Sequence, residues 1–325
     1  MDLFNPAFWT FTAVIGGIYG IMALGLYVQF SLAGLPNFGH VAFMAVAAYT
    51  MAILIVRYGV PLPVAGLAGL LAAVVLAGIM GVPALRLRAD YLAIATVAGG
   101  EIIRYMAMSL PEFTGGAIGS MGLLGPGDIA LYNQDWQAFL DWLGRQVAVS
   151  GLTLARDQVM GLIVWGLLVL LLLVFWRLER SPWGRVLKGI REDEIAVAAV
   201  GKNVVHFKMQ ALVLGAILGG LSGLLLAWQI GVFSPDDYQP TLTFYAYLIL
   251  ILGGVNRIWA IPLGAILFSL LYTGTRFLNF YPLSLFEPGD RAFLRLLLVG
   301  LLLVLFMALK PEGLLGNRRQ LMLDR

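Results

Sequence analysis

The chain has 325 residues, 60% hydrophobic and only 12% charged, with a mean hydropathy of +0.89, a composition that excludes an ordinary water-soluble domain. Its net charge is a modest +3 and it has no cysteine, so disulfides and thiolate metal sites are excluded. The two histidines, His40 and His206, lie far apart in the sequence, and no histidine metal cluster is expected.

Many segments reach the roughly 20 apolar residues needed to cross a bilayer. The expected fold is all-α: one polytopic transmembrane domain over 1–325, with about nine transmembrane helices, eight to ten at the limits. The spans are read as 9–30, 38–56, 62–83, 91–108, 159–176, 209–230, 242–255, 259–277 and 293–309. The stretch 242–255 is short for a span and reads equally as a broken or re-entrant element. Residues 1–7 carry Asp2 and no basic region, so no cleavable signal peptide is expected.

In chain order, the first polar feature is Asn37-Phe38-Gly39-His40, opening the second span behind a break at Gly34 and Pro36. A half-helix end there presents free backbone groups to a ligand. His40 reads as a solvated or satisfied interfacial histidine, or as a pathway residue. Arg86-Leu87-Arg88 follows at the inner face as an interfacial anchor or a brace for a partner. Glu101 and Arg104 then sit at i and i+3 inside the fourth span, close enough to pair. Such a pair is a functional candidate or a structural ion pair. Thr114-Gly115-Gly116 begins a glycine-rich turn whose N–H groups suit an anion or a simple bend.

The segment 111–158 is the long external loop. It combines Asp128, Asp135, Asp141 and Asp157 with Trp136, Phe139 and Trp142, as an interfacial helix or a docking surface does. The segment 177–208 is a charged cytoplasmic loop. Its middle is expected to form a short amphipathic helix, with Arg191, Glu192, Asp193 and Glu194 at the start. An apolar body over 195–200 follows, and Gly201 is the stop. With this loop inside, 14 Lys and Arg residues fall on the cytoplasmic side and 7 on the outer side, as the positive-inside rule requires. The N-terminus is then outside and the C-terminus cytoplasmic. Gly215, Gly219 and Gly223 form a ladder that lets helices approach closely or lines a moving pathway.

No GxxxxGK[ST], HExxH or GxSxG motif occurs, so the chain carries no nucleotide-hydrolysing or hydrolase site of its own. It reads as a conduit driven from elsewhere. Five segments, 37–50, 87–104, 114–123, 181–212 and 251–268, appear in an order that resembles the LivM-type permease subunits of ABC importers for branched-chain and other hydrophobic amino acids. The resemblance covers nearly the whole chain. It implies an EAA-like coupling helix at Glu194-Ile195-Ala196 through Gly201, with Ala196 in the small-residue place.

It further implies four kinds of companion: a second, LivH-like permease chain, two ABC ATPase subunits, an external solute-binding protein, and the lipid of a bacterial inner membrane. No cofactor is expected on this chain, ATP and Mg being held by the partner subunits, and no nucleic acid is expected. Pathway candidates under this reading are Asn37, His40, Phe43, Thr96, Glu101, Thr114, Gly115 and Gly116. A related urea or amide permease and a stand-alone secondary transporter remain compatible with the residues.

Overall fold

The computed structural model describes residues 6–124, 131–148, 153–277 and scattered positions between 293 and 315. The ninth predicted span, 293–309, and Asp128 fall wholly or mostly outside the described residues. All described regular elements are helical.

The first helix, α1 (Pro6–Leu26), continues into a π-helical turn over Tyr27–Leu32. Together they form the best-buried of the described spans. Around α1 pack α8 (Arg156–Arg180), α11 (Val204–Ile230), α12 (Thr241–Gly253) and α13 (Ile261–Phe277). On the other side of α11 stand α2 (Val41–Tyr58) and α3 (Leu62–Ala84), and α4 (Ala89–Ser109), followed by the short helices α5 (Pro111–Thr114) and α6 (Ser120–Leu124), lies against α2. The glycine ladder of α11 is used for packing. A Cβ on Gly223 would stand 2.4 Å from the Met44 carbonyl oxygen of α2, so only glycine allows this approach.

Among the described residues, five helices are long and apolar enough to cross a bilayer: Ala7–Leu32, Val41–Tyr58, Leu62–Ala84, Arg156–Arg180 and Val204–Ile230. The fourth predicted span is a helix of sufficient length, α4, but Asp90, Glu101 and Arg104 reduce its apolar character. The short 242–255 stretch is resolved as half of a bent pair. Pro235–Gly253 and Ile258–Thr273 meet at 105°, as a broken span or re-entrant loop does. Gly254, at φ 133°, ends α12. Behind the bend a Cβ on Gly264 would stand 2.1 Å from the Ile249 carbonyl oxygen. The two halves therefore close on each other where side chains are absent.

The polar loop 177–208 is mostly helical, with two helices where one short helix was expected. The helix α8 runs on to Arg180, whose guanidinium lies 4.0 Å from the Trp176 ring centroid. After Ser181 comes α9 (Pro182–Glu192), then α10 (Glu194–Ala199), and α11 begins at Val204. Pro182 occupies the first position of α9, where its missing N–H costs nothing. Leu187 and Ile190 bury one face of it. On the predicted external side, α7 (Leu131–Ala148) buries Trp136 and Leu140 and stacks Trp136 on Trp228 of α11 at 4.2 Å. Phe139 and Trp142 remain exposed.

Candidate functional site

The predicted pathway residues divide into three places. Asn37, His40, Phe43 and Thr96 converge at the break between α1 and α2, and the residue that joins Asn37 to His40 is Gln29 of the π-helical turn. Its Oε1 accepts from Asn37 Nδ2 at 3.0 Å and lies 3.2 Å from His40 Nδ1, while its Nε2 donates to the Leu212 carbonyl at 3.0 Å. Thr96 Oγ1 accepts from the Phe38 N–H at 3.1 Å. Asn37 Oδ1 accepts from the Gly39 N–H at 2.9 Å, and Thr243 Oγ1 of α12 accepts from the Val41 N–H at 3.1 Å. Tyr247 donates its hydroxyl to the Asn37 carbonyl at 3.3 Å.

Two expectations are corrected here. The backbone N–H groups of Phe38, Gly39 and Val41 are each taken by a side chain, so they are not free for a ligand. His40 is not a solvated interfacial residue. It is fully buried, because Gly25 of α1 and Gly219 of α11 close over its ring, a Cβ on either standing 3.0 Å from Nε2. A buried polar group in hydrocarbon must find its partner inside the protein, and Gln29 supplies one for His40 Nδ1, while His40 Nε2 has no hydrogen-bond partner among the described residues. Gln29, Thr243 and Tyr247 were missed from sequence. A lone glutamine in an otherwise apolar run was the available signal.

Asn37, Phe43 and Thr96 also line one crevice, whose volume is about 10 Å³, room for no more than a water molecule. Leu35, Leu85 and Leu92 belong both to this crevice and to a larger, polar cavity of about 350 Å³ beside α9 and α10. That cavity is lined by Arg88, Arg191, Glu192, Asp193 and Lys208 among others. A leucine neck thus separates a shut apolar crevice from a charged vestibule.

Glu101 is elsewhere. Its pair with Arg104 forms as expected, at 2.7 Å, and Arg104 also reaches Asp236 before α12 at 2.8 Å. The trio ties α4 to the start of the bent pair. Thr114, Gly115 and Gly116 form a third place, a compact turn. The Gly115 N–H donates to the Pro111 carbonyl and the Gly116 N–H to Thr114 Oγ1. Both glycines have positive φ, 80° and 63°, which the bend requires. Their N–H groups are used internally, so the open anion cradle is not formed.

The predicted coupling residues occupy two helices rather than one. Arg191 and Glu192 end α9, because Asp193 adopts extended backbone and breaks the chain there. Asp193 then caps α10, accepting from the N–H groups of Ile195 at 2.9 Å and Ala196 at 3.0 Å. Glu194 opens α10 and pairs with Lys208 of α11. Gly201, at φ 78°, closes the segment in open space. No residue of α10 is buried, and Ile195 is 79% exposed.

Arg191 points away from this surface. Its Nη1 donates to the Ser31 carbonyl at 2.7 Å and to Asn256 Oδ1 at 3.1 Å. Lys188, one turn earlier, reaches Glu179 at 2.7 Å, and Glu179 accepts from the Tyr27 hydroxyl at 3.2 Å. On the far side, Arg156 grips Asp141 with two bonds of 2.7 Å and holds its carboxyl below the usual range, chiefly by that hydrogen bonding.

Residues 9–307 match the family described as branched-chain amino acid transport system, permease component. The chain is 35% identical over 319 residues to the high-affinity branched-chain amino acid transport system permease protein LivM of Escherichia coli, covering 94% of this chain and 70% of that one. It is 35% identical to the LivM of Salmonella typhimurium, covering 93% and 68% of the two chains. A probable LivM of Methanocaldococcus jannaschii is 25% identical, over 93% and 91%. No solved structure matches the chain. A polytopic helical membrane protein with this match along nearly its whole length belongs to the branched-chain amino acid transport permease family.

Proposed function

We propose that the chain forms half of the translocation pathway of an ATP-driven importer for branched-chain and similar neutral amino acids. In this reading it pairs with a LivH-like permease, is driven by two ABC ATPase subunits and receives substrate from an external solute-binding protein. The membrane is a bacterial inner membrane, crossed about nine times, with the C-terminus cytoplasmic. This chain holds no cofactor; ATP and Mg sit on the ATPase subunits. The observation that carries the coupling assignment is α10, a capped helix outside the spans, with no buried residue and with Ile195 and Val200 exposed. An exposed apolar side chain on a firmly capped helix suits a socket on another protein.

Asn37, Phe43 and Thr96 face the shut crevice and are the pathway residues this geometry favours. A largely apolar lining suits an aliphatic side chain, and opening the neck at Leu35, Leu85 and Leu92 would join it to the vestibule. His40 and Gln29 hold the break in shape behind this lining. The experiment is Ile195→Asp in the full complex, expressed with its ATPase and binding-protein partners. The expected result is loss of ATPase co-purification and of leucine uptake, with stability changed by about 0.5 kcal/mol or less, as for an open surface site. Full uptake and intact co-purification would overturn the assignment of α10.

A further inference from the structure

We propose that Arg191 and Asn256 form the relay by which movement of α10 reaches the two broken membrane helices. This rests on the coupling reading above and adds the route. α9 and α10 meet at the single extended residue Asp193, so displacement of α10 acts first on the end of α9. Arg191 is the last basic residue of α9, and its guanidinium satisfies two separate groups. One is the Ser31 carbonyl, in the last turn of the π-helical segment. The other is Asn256, in the turn between α12 and α13, where the chain bends by 105°.

The contact is close along the whole side chain. A Cβ on Gly34, which has φ 68° in the break after that turn, would stand 3.0 Å from Arg191 Cγ. The stem of Arg191 therefore lies on one break while its head grips both. Each break is an element that can change its angle without unfolding a continuous helix, the kind that absorbs motion. The first leads directly to Asn37 and His40, and α12 beyond the second carries Thr243 and Tyr247 into the same polar node. No other described charged side chain bonds to both breaks.

The test uses the whole transporter in proteoliposomes, measuring leucine imported per ATP hydrolysed. Asn256→Ala and Arg191→Gln are each expected to lower that ratio about five-fold or more, the lower end for a coupling interaction. The double variant should lose no more than Arg191→Gln alone, because one contact is removed twice. Asn256→Asp, which keeps the acceptor and adds charge, should hold the wild-type ratio. Unchanged ratios in both single variants would overturn the relay, as would an equal loss in Asn256→Asp and Asn256→Ala. Failure of Asn256→Ala to assemble would also overturn it, showing a contact that only holds the fold. A wild-type complex that imports no leucine would instead strike the importer reading beneath it.

Discussion

Residues 29–43 and residues 193–201 are both short interruptions of apolar helix, yet they resolve their polarity in opposite ways. In the first, nearly every polar group is turned inward: Gln29, Asn37, His40, Thr96 and Thr243 serve one another and the local backbone. In the second, the cap is satisfied locally by Asp193, and the apolar side chains of Ile195 and Val200 are left facing outward. Depth in the membrane explains the difference. Hydrocarbon offers no hydrogen bonds, so a break there is served almost wholly from within, with Ser31 Oγ and His40 Nε2 its buried atoms left without a partner among the described residues. A break outside the bilayer has water for its polar groups and can leave its surface for a partner.

The contrast breaks most severely at Gly39. A Cβ there would stand 2.0 Å from the Thr96 carbonyl oxygen, so Gly39→Ala must push α4 away from the node. Overpacking of this kind costs about 3 kcal/mol, and the check is a large loss of folded protein with a lower melting temperature in detergent. Gln29→Leu keeps the bulk and removes the shared partner of Asn37, His40 and the Leu212 carbonyl. Its expected cost is about 2 kcal/mol, since buried groups left unpaired are expensive while bonds between membrane helices average less than those in water. Thermal unfolding of the purified complex reads it. A melting temperature equal to wild type would mean the node is not self-contained.

On the outward-facing side, Asp193→Ala should be mild. Losing an N-cap costs about 1 kcal/mol, confined to α10, so hydrogen exchange at Ile195 and Ala196 should quicken while global unfolding stays put. A global shift as large as that of Gln29→Leu would erase the distinction between the two segments.

Much of this architecture was readable in the residues. Runs of apolar side chains mark spans because hydrocarbon thickness sets their length. The shortness of 242–255 foretold the bent pair, and Glu101 with Arg104 foretold their ion pair. The α10 segment was legible from its small apolar body and Gly201, but its start was not, since Arg191 and Glu192 belong to α9 and Asp193 makes the break. Less legible was α9, because its charges concealed the spacing of Leu187 and Ile190. Gln29 also escaped notice, since its importance comes from neighbours eight to 183 residues away.

What the sequence by itself determined is the class of molecule: membrane-embedded and helical, with one charged segment set between apolar runs. These follow from composition and from interactions within a few residues. Only the tertiary structure decided that His40 is sealed, that the glycine turn at 114–116 is closed, and that Arg191, at the end of α9, reaches two distant breaks. Those outcomes depend on which helices pack over a given residue, and close approach at glycines such as Gly25, Gly219 and Gly223 sets much of that packing.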